Sequence, residues 1–450
     1  MSRNLGYRDL SYEAQKAKQK ILACQRSSNP MVRAVGDGDP QSLESFAAAA
    51  VSPLANEDAK AWSEALAAAA SLGRLECLKV AACLGNPDAQ DNSGRTALTH
   101  AVCEGAVDCV EFLAPKTTPG IRDNSGRTAW MHAAANGQMR MMDLLCAEFA
   151  PFDTASSGED ALMLAADNGW AEMVKRLLPH SDANAHRDSL GRNALMQALS
   201  RDYWRCAELL IPVSDMAAQD NDGLTALMMA AQFSGEQAVK AILPLSDPLT
   251  IDWNGRNALM VAASAGKMKN MELLLRHGPD ARTHDPRSSK RGHAYMGGLT
   301  AFMIAACKGH HECVKALLPV SDPLAQDDSG HAALSLAAAN GSIECIPTLL
   351  TKEAARVKNN AGQAAVAVAA KLEEWECAIA IARKSSSEDV RLACDWARKA
   401  ADENGEALAK AAVGQLTAIA ESLELAETVT MGAGDMNSGT AAARRAPRSL

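Results

Sequence analysis

Gly298-Leu299-Thr300-Ala301-Phe302-Met303-Ile304-Ala305-Ala306-Cys307-Lys308-Gly309 is the stretch on which the reading of this chain turns. Eight other glycines open the same phrase: Gly94, Gly126, Gly158, Gly191, Gly223, Gly255, Gly330 and Gly362. With Gly298 in its place, the steps between them are 32, 32, 33, 32, 32, 43, 32 and 32 residues. Two places after each glycine stands Thr, Asn, Asp or Ala, then an alanine, then a large apolar residue. Self-similarity at such a period denotes a stacked array, because a single unit cannot bury its apolar face alone. An extended recognition surface follows more readily from that architecture than a single catalytic cleft.

Each copy parses into two helices and a turn. An aspartate three places before the glycine (Asp91, Asp123, Asp188, Asp220, Asp252, Asp327) is placed to bind the backbone two residues on and set the turn. The Thr or Asn after the glycine caps the first helix. A second glycine (Gly105, Gly137, Gly169, Gly235, Gly266, Gly309, Gly341) closes it. The second helix stops at Pro115, Pro179, Pro212, Pro244 or Pro319, since the residue before proline is pushed out of the helical region.

These residues resemble ankyrin repeats, whose pattern is Asp-x-x-Gly-x-Thr-Ala/Pro-Leu-x-x-Ala-Ala-x-x-Gly followed by a second helix ending in Leu-Leu. The segment from Gly298 through Gly309 and Val314 to Leu317-Leu318 is the best match. The resemblance covers about residues 28–388 and departs from the family in two ways. Alanine replaces the usual proline in every copy, and Met131, Met163, Met196, Met228, Met260 and Met303 occupy the usual histidine position. Stability is therefore expected to rest more on packing. The implied fold is an all-α ankyrin-repeat solenoid of stacked helix-turn-helix units with projecting β-turn or hairpin loops and helical caps. At about 8–10 Å per unit it would span on the order of 100 Å.

Composition narrows the function. The formal net charge of −9 disfavours a sequence-independent grip on phosphate backbones, so no nucleic acid is expected as a partner. No run of 18 apolar residues suggests a membrane span, and the start, Met1 to Gly6, lacks a signal-peptide core. Of the twelve cysteines, Cys77, Cys109, Cys206, Cys313, Cys345 and Cys377 share one slot of the repeat, which holds Met141, Met173 and Ala238 elsewhere. A slot open to Cys, Met or Ala is a core position, so reduced structural thiols and a cytoplasmic location are expected. No phosphate loop, nucleophile elbow or metal-ligand spacing occurs. No enzymatic activity, metal or cofactor is expected.

The chain divides into an N-terminal capping helix (1–27), the array (28–388, with a degenerate first unit), a helical cap (389–425) and a disordered tail (426–450). Eleven extra residues near 286–296 form a basic insertion in an acidic protein. The resemblance implies docking on turn tips and on the inner helices. On that basis the candidate partner-binding residues are Trp253, Arg256, Phe233, Arg201, Arg192, Leu224, Lys308 and His331, with Arg287, Lys290, Arg291, Tyr295 and Met296 from the insertion. Trp253 leads because a tryptophan on a tip has no core to fill. For Arg95, Arg127, Arg192 and Arg256 an ion pair with the aspartate four residues earlier is the simpler role. The expectation is a monomeric adaptor for an unidentified protein. The alternative is an effector, exported from a bacterium, that blocks a target inside another cell.

Overall fold

The computed structural model describes residues 10–49, 56–118, 120–145, 153–277, 297–404 and 407–442. The insertion at 286–296, and with it Arg287, Lys290, Arg291, Tyr295 and Met296, lies outside the described residues. The chain forms two compact units, Met1–Asn221 and Asp222–Leu450.

In the first unit the helix Leu10–Gln25 packs on Pro30–Asp37 and on Asn56–Leu72. Six helix pairs follow, the later four being Ala97–Glu104 with Val107–Leu113, Ala129–Ala135 with Met139–Leu145, Ala161–Asp167 with Ala171–Leu177, and Ala194–Ser200 with Trp204–Leu210. First helices pack on first helices and second helices on second helices, giving two parallel layers.

The second unit repeats the scheme. Its first helices are Ala226–Phe233, Ala258–Ser264, Ala301–Cys307, Ala333–Ala339 and Ala365–Lys371. Ala258–Ser264 packs on Ala301–Cys307 as other neighbours do, although the long 43-residue step separates their copies. The helix Ser387–Asn404 then continues the first layer against Ala365–Lys371, and Ala407–Ala442 continues the second against Trp375–Ala382. The sequence reading places a disordered tail from residue 426, whereas the helix runs on to Ala442.

Helices of seven or eight residues are too short to persist alone. Burial holds them. The small pair at the middle of each first helix (Ala133-Ala134, Ala230-Ala231, Ala305-Ala306) is fully buried, which lets neighbouring backbones approach closely. Met131, Met163, Met196, Met228, Met260 and Met303 are at most 3% exposed, so they fill the core and none faces a groove. Their backbone N–H groups take the helix caps. Asn193 and Asn257 Oδ1 accept from Met196 and Met260 at 2.9 and 3.0 Å, and Thr128 and Thr300 Oγ1 from Met131 and Met303 at 3.3 Å. The shared cysteine slot is core as expected, with Cys77, Cys109, Cys206, Cys313, Cys345 and Cys377 all buried. Burial pushes the thiols of Cys109, Cys206, Cys313, Cys345 and Cys377 up to about 11.

Turns project between the pairs. Among the described residues they carry no β-strand; an isolated antiparallel bridge joins Lys358 and Ala364. The turns are tied to one another by backbone. The N–H two places before a turn glycine donates to the carbonyl just before the preceding glycine: Asn124 to Ser93, Ser156 to Ser125, Asn221 to Leu190, Trp253 to Asp222, Asp328 to Gly297 and Asn360 to Ser329, all at 2.8–3.0 Å. Asn124, Asn221 and Asn360 add a side-chain bond to the carbonyl one residue earlier.

Three inter-helix loops break the rule of a left-handed glycine, one of them with Asp202 in the glycine place at φ +60°. After Ala226–Phe233 the chain turns through Ser234 and Gly235 with Gly235 at φ −77°, so the usual left-handed cap is missing. Asn270 of the following copy supplies the replacement. It stands in the core slot that holds Cys, Met or Ala elsewhere and is 3% exposed. Its Nδ2 donates to the carbonyls of Ala230, Ala231 and Ser234 at 3.3, 3.2 and 2.9 Å. In the last copy Glu373 takes the glycine position and holds φ +65°, a conformation that costs a side-chain-bearing residue about 1–2 kcal/mol.

Two outcomes are expected. Asn270→Ala leaves buried helix-end carbonyls unpaired and lowers unfolding free energy by about 1–3 kcal/mol in urea melts. Glu373→Gly relieves the left-handed strain and raises it by about 1 kcal/mol in the same assay.

Candidate interaction surface

The tip aspartate decides what each turn offers. One carboxylate oxygen serves the turn: Asp91 Oδ1 accepts the N–H of Ser93 and Arg95 at 2.8 and 2.9 Å, and Asp123, Asp188, Asp252 and Asp327 repeat the pattern. The other oxygen takes a second partner, and at Asp123, Asp188 and Asp252 the carboxylate is buried. In the first unit that partner comes from the first helix. His100 Nε2 lies 2.9 Å from Asp91, His132 Nε2 2.8 Å from Asp123, and Gln197 Nε2 3.1 Å from Asp188. Where the aspartate is replaced by Ala155 the helix position is Leu164, and the two pack with Met131. In the second unit Asp252 turns to its own Arg256, with Nε at 2.9 Å and Nη2 at 2.7 Å, and the helix position is Val261.

These bonds tune acidity. Burial raises the Asp91 carboxyl, but bonds from Ser93, the Arg95 N–H and His100 more than offset it and hold it at about 2. Burial drives His132 below the ordinary histidine range, outweighing the pull of Asp123. Asp160, a buried helix cap where other copies use Thr or Asn, is raised by burial despite the N–H of Met163 at 2.8 Å.

The arginines after the turn glycines behave in two ways. Arg192 and Arg256 pair with the aspartate four residues earlier, as the sequence suggests. Arg95 and Arg127 do not; they reach the next copy, at Asp123 (3.7 Å) and Glu159 (3.2 Å). Their own aspartates are already occupied by His100 and His132. Glu159 also accepts from Gln197 at 3.3 Å, so charged groups of the first unit form a chain running from Arg127 through Glu159, Gln197 and Asp188 to Arg192. Arg201 is bound bidentately by Asp167 of the preceding copy, both bonds 3.1 Å. Arg192 and Arg201 therefore arrive at the surface with their charges already matched. His331 is engaged as well, its Nε2 3.1 Å from Asn359 Nδ2.

Leu224, Trp253 and Arg256 come together on adjoining tips of the second unit. The indole of Trp253 lies across Gly223, where an added Cβ would stand 2.9 Å and 3.0 Å from ring atoms Cδ2 and Cγ. Even so, Trp253 is 50% exposed and Leu224 half-buried beside it. The ring is thus both braced by the neighbouring tip and presented to solvent. Phe233, 41% exposed, and Lys308 sit at the other end of their first helices, about 10 Å from the tips at 1.5 Å per residue. Leu299, placed by register in the exposed tip row, is buried at 5%.

One tip residue escaped the sequence reading. Leu190 is 53% exposed just before its turn glycine, a position that holds serine in Ser93, Ser125, Ser157 and Ser329. An apolar residue in an otherwise polar slot was the available signal. Among the described residues no group of three metal-ligating side chains forms, and no helix is long and apolar enough to cross a membrane.

Comparison with protein families yields one model, described as ankyrin repeats (3 copies), which matches residues 22–123, 65–154, 131–220, 203–285 and 284–361. Comparison with curated proteins yields no match.

Asp160 provides a pH test of the cap geometry. Its folded-state acidity lies below that of the unfolded chain, so its ionisation costs stability, and that cost vanishes as the carboxyl is protonated. Asp160→Thr keeps the cap, as Thr128 does, and removes the buried charge. The variant should melt higher than the parent at pH 7, with the gain fading below the ordinary carboxylate range. An equal gain at all pH values would refute the assignment.

Proposed function

Since the chain belongs to the ankyrin-repeat family, whose repeats are in general protein-interaction modules, we propose that it is a non-enzymatic adaptor that binds a partner protein through its turn tips and first-helix layer. The observation that carries this reading is Trp253. A large aromatic side chain held half-exposed on a tip that is itself pinned by backbone hydrogen bonds offers contact area at little entropic cost. Leu224 widens the apolar patch on the adjoining tip.

The first unit supports the same division. Its tip charges satisfy one another across copies, so they contribute rigidity and electrostatic complementarity more than open binding capacity. An interface of about 800 Å² per partner would engage only a few consecutive copies. A cytoplasmic location accords with the free, mostly buried cysteines of the described residues.

The test uses Trp253→Ala in the full chain, with Arg256 retained. Removing Arg256 would leave the fully buried Asp252 carboxylate without its ion pair and confound binding with stability. Recovery of the partner captured by the native chain should fall by about tenfold or more, while the melting temperature holds. Undiminished recovery would count against the tip as the binding site.

A further inference from the structure

Beyond the tips, the second-helix layer carries a groove where the last helix of the array, Trp375–Ala382, meets the start of Ala407–Ala442. It encloses a cavity of about 510 Å³. One wall is Glu376, Ile379, Ala380 and Arg383; the other is Leu408, Ala411, Ala412 and Gln415. Both walls follow the i, i+3, i+4, i+7 spacing of a single helical face. Trp375 lines the first wall as well, and each wall carries a longer side chain toward both ends.

Three observations indicate what covers this groove. Leu408 is 72% exposed at its edge, a large apolar side chain with no burial of its own. Glu376 and Arg383 are exposed and have no ion-pair partner among the described residues. They lie two helical turns apart, about 10.5 Å, too far to pair with each other. A two-fold axis through Ile379-Ala380 would bring Glu376 of one copy against Arg383 of another, and Arg383 against Glu376. The same operation brings Leu408 of one copy beside Gln415 of the other and sets Ala411-Ala412 of each copy near the axis. A patch that complements itself in charge under a two-fold rotation meets the electrostatic requirement of an isologous contact.

We propose that this groove is the contact surface of a homodimer, each copy's Leu408 covered by the other's wall at Gln415 and each Glu376 paired with the other's Arg383. The contact lies on the second-helix layer, away from the tips assigned to partner binding. It would replace the monomer expected from sequence.

Sedimentation velocity on the full chain over about 1–100 µM, the range suited to a micromolar dissociation constant, provides the test. The native chain should show a concentration-dependent dimer. Glu376→Arg and Arg383→Glu, each alone, set like charges opposite and should weaken the dimer by about tenfold or more. The double variant Glu376→Arg/Arg383→Glu should restore it. An equimolar mixture of the two single variants should form a heterodimer while neither forms a homodimer. Leu408→Asp should abolish association, with the thermal melt confirming that the chain remains folded. A chain that stays monomeric throughout overturns the proposal, and this includes the case in which the groove holds another protein's helix. A dimer indifferent to these charges, or a double variant that fails to recover, overturns it as well.

Discussion

Lateral burial of short helices is the constraint on which the rest depends. A seven-residue helix such as Ala129–Ala135 or Ala301–Cys307 cannot pay its own ordering entropy. It forms because its alanines and its large apolar residue are covered by the equivalent helices before and after. The N- and C-terminal helices Leu10–Gln25 and Ser387–Asn404 therefore matter as much as any copy, since they cover the outermost first helices. The cap at the C-terminal end does so by continuing both layers rather than by folding across them.

A second set of constraints aligns the turns. The backbone bond from each turn to the one before it fixes their spacing without reference to side chains, which leaves the side chains free to vary. Two solutions to the same electrostatic problem appear. At Asp91 and Asp123 the tip aspartate is satisfied by His from the helix beneath, and the following arginine is released to bind the next copy. At Asp252 the arginine turns back, and the helix position beneath becomes apolar. Charge is thus consumed between copies in one place and within a turn in the other.

Asn270 shows how a departure in one copy is compensated in the next. The Gly223 copy lacks a left-handed residue at the end of its first helix, and the orphaned carbonyls are met by an amide that a neighbour places in its core. Such a substitution is costly alone and favourable only in company, which is the behaviour expected of groups in contact.

The period, the helix-turn-helix units, the caps at Thr and Asn, and the cysteine and methionine core slots were all legible in the sequence. Each is set by local residue type repeated in register, and periodicity multiplies a weak signal many times over. Trp253 could be placed on a tip for the same reason. Contacts between copies could not be read. Whether Arg127 binds Asp123 or Glu159, whether Asn270 is a core filler or a cap, and whether Leu299 is exposed or buried depend on which group thirty or so residues away stands closer. Register brings candidates together, but the choice among them is made by competition for each hydrogen bond and by how closely the layers pack, and only the folded chain resolves that competition.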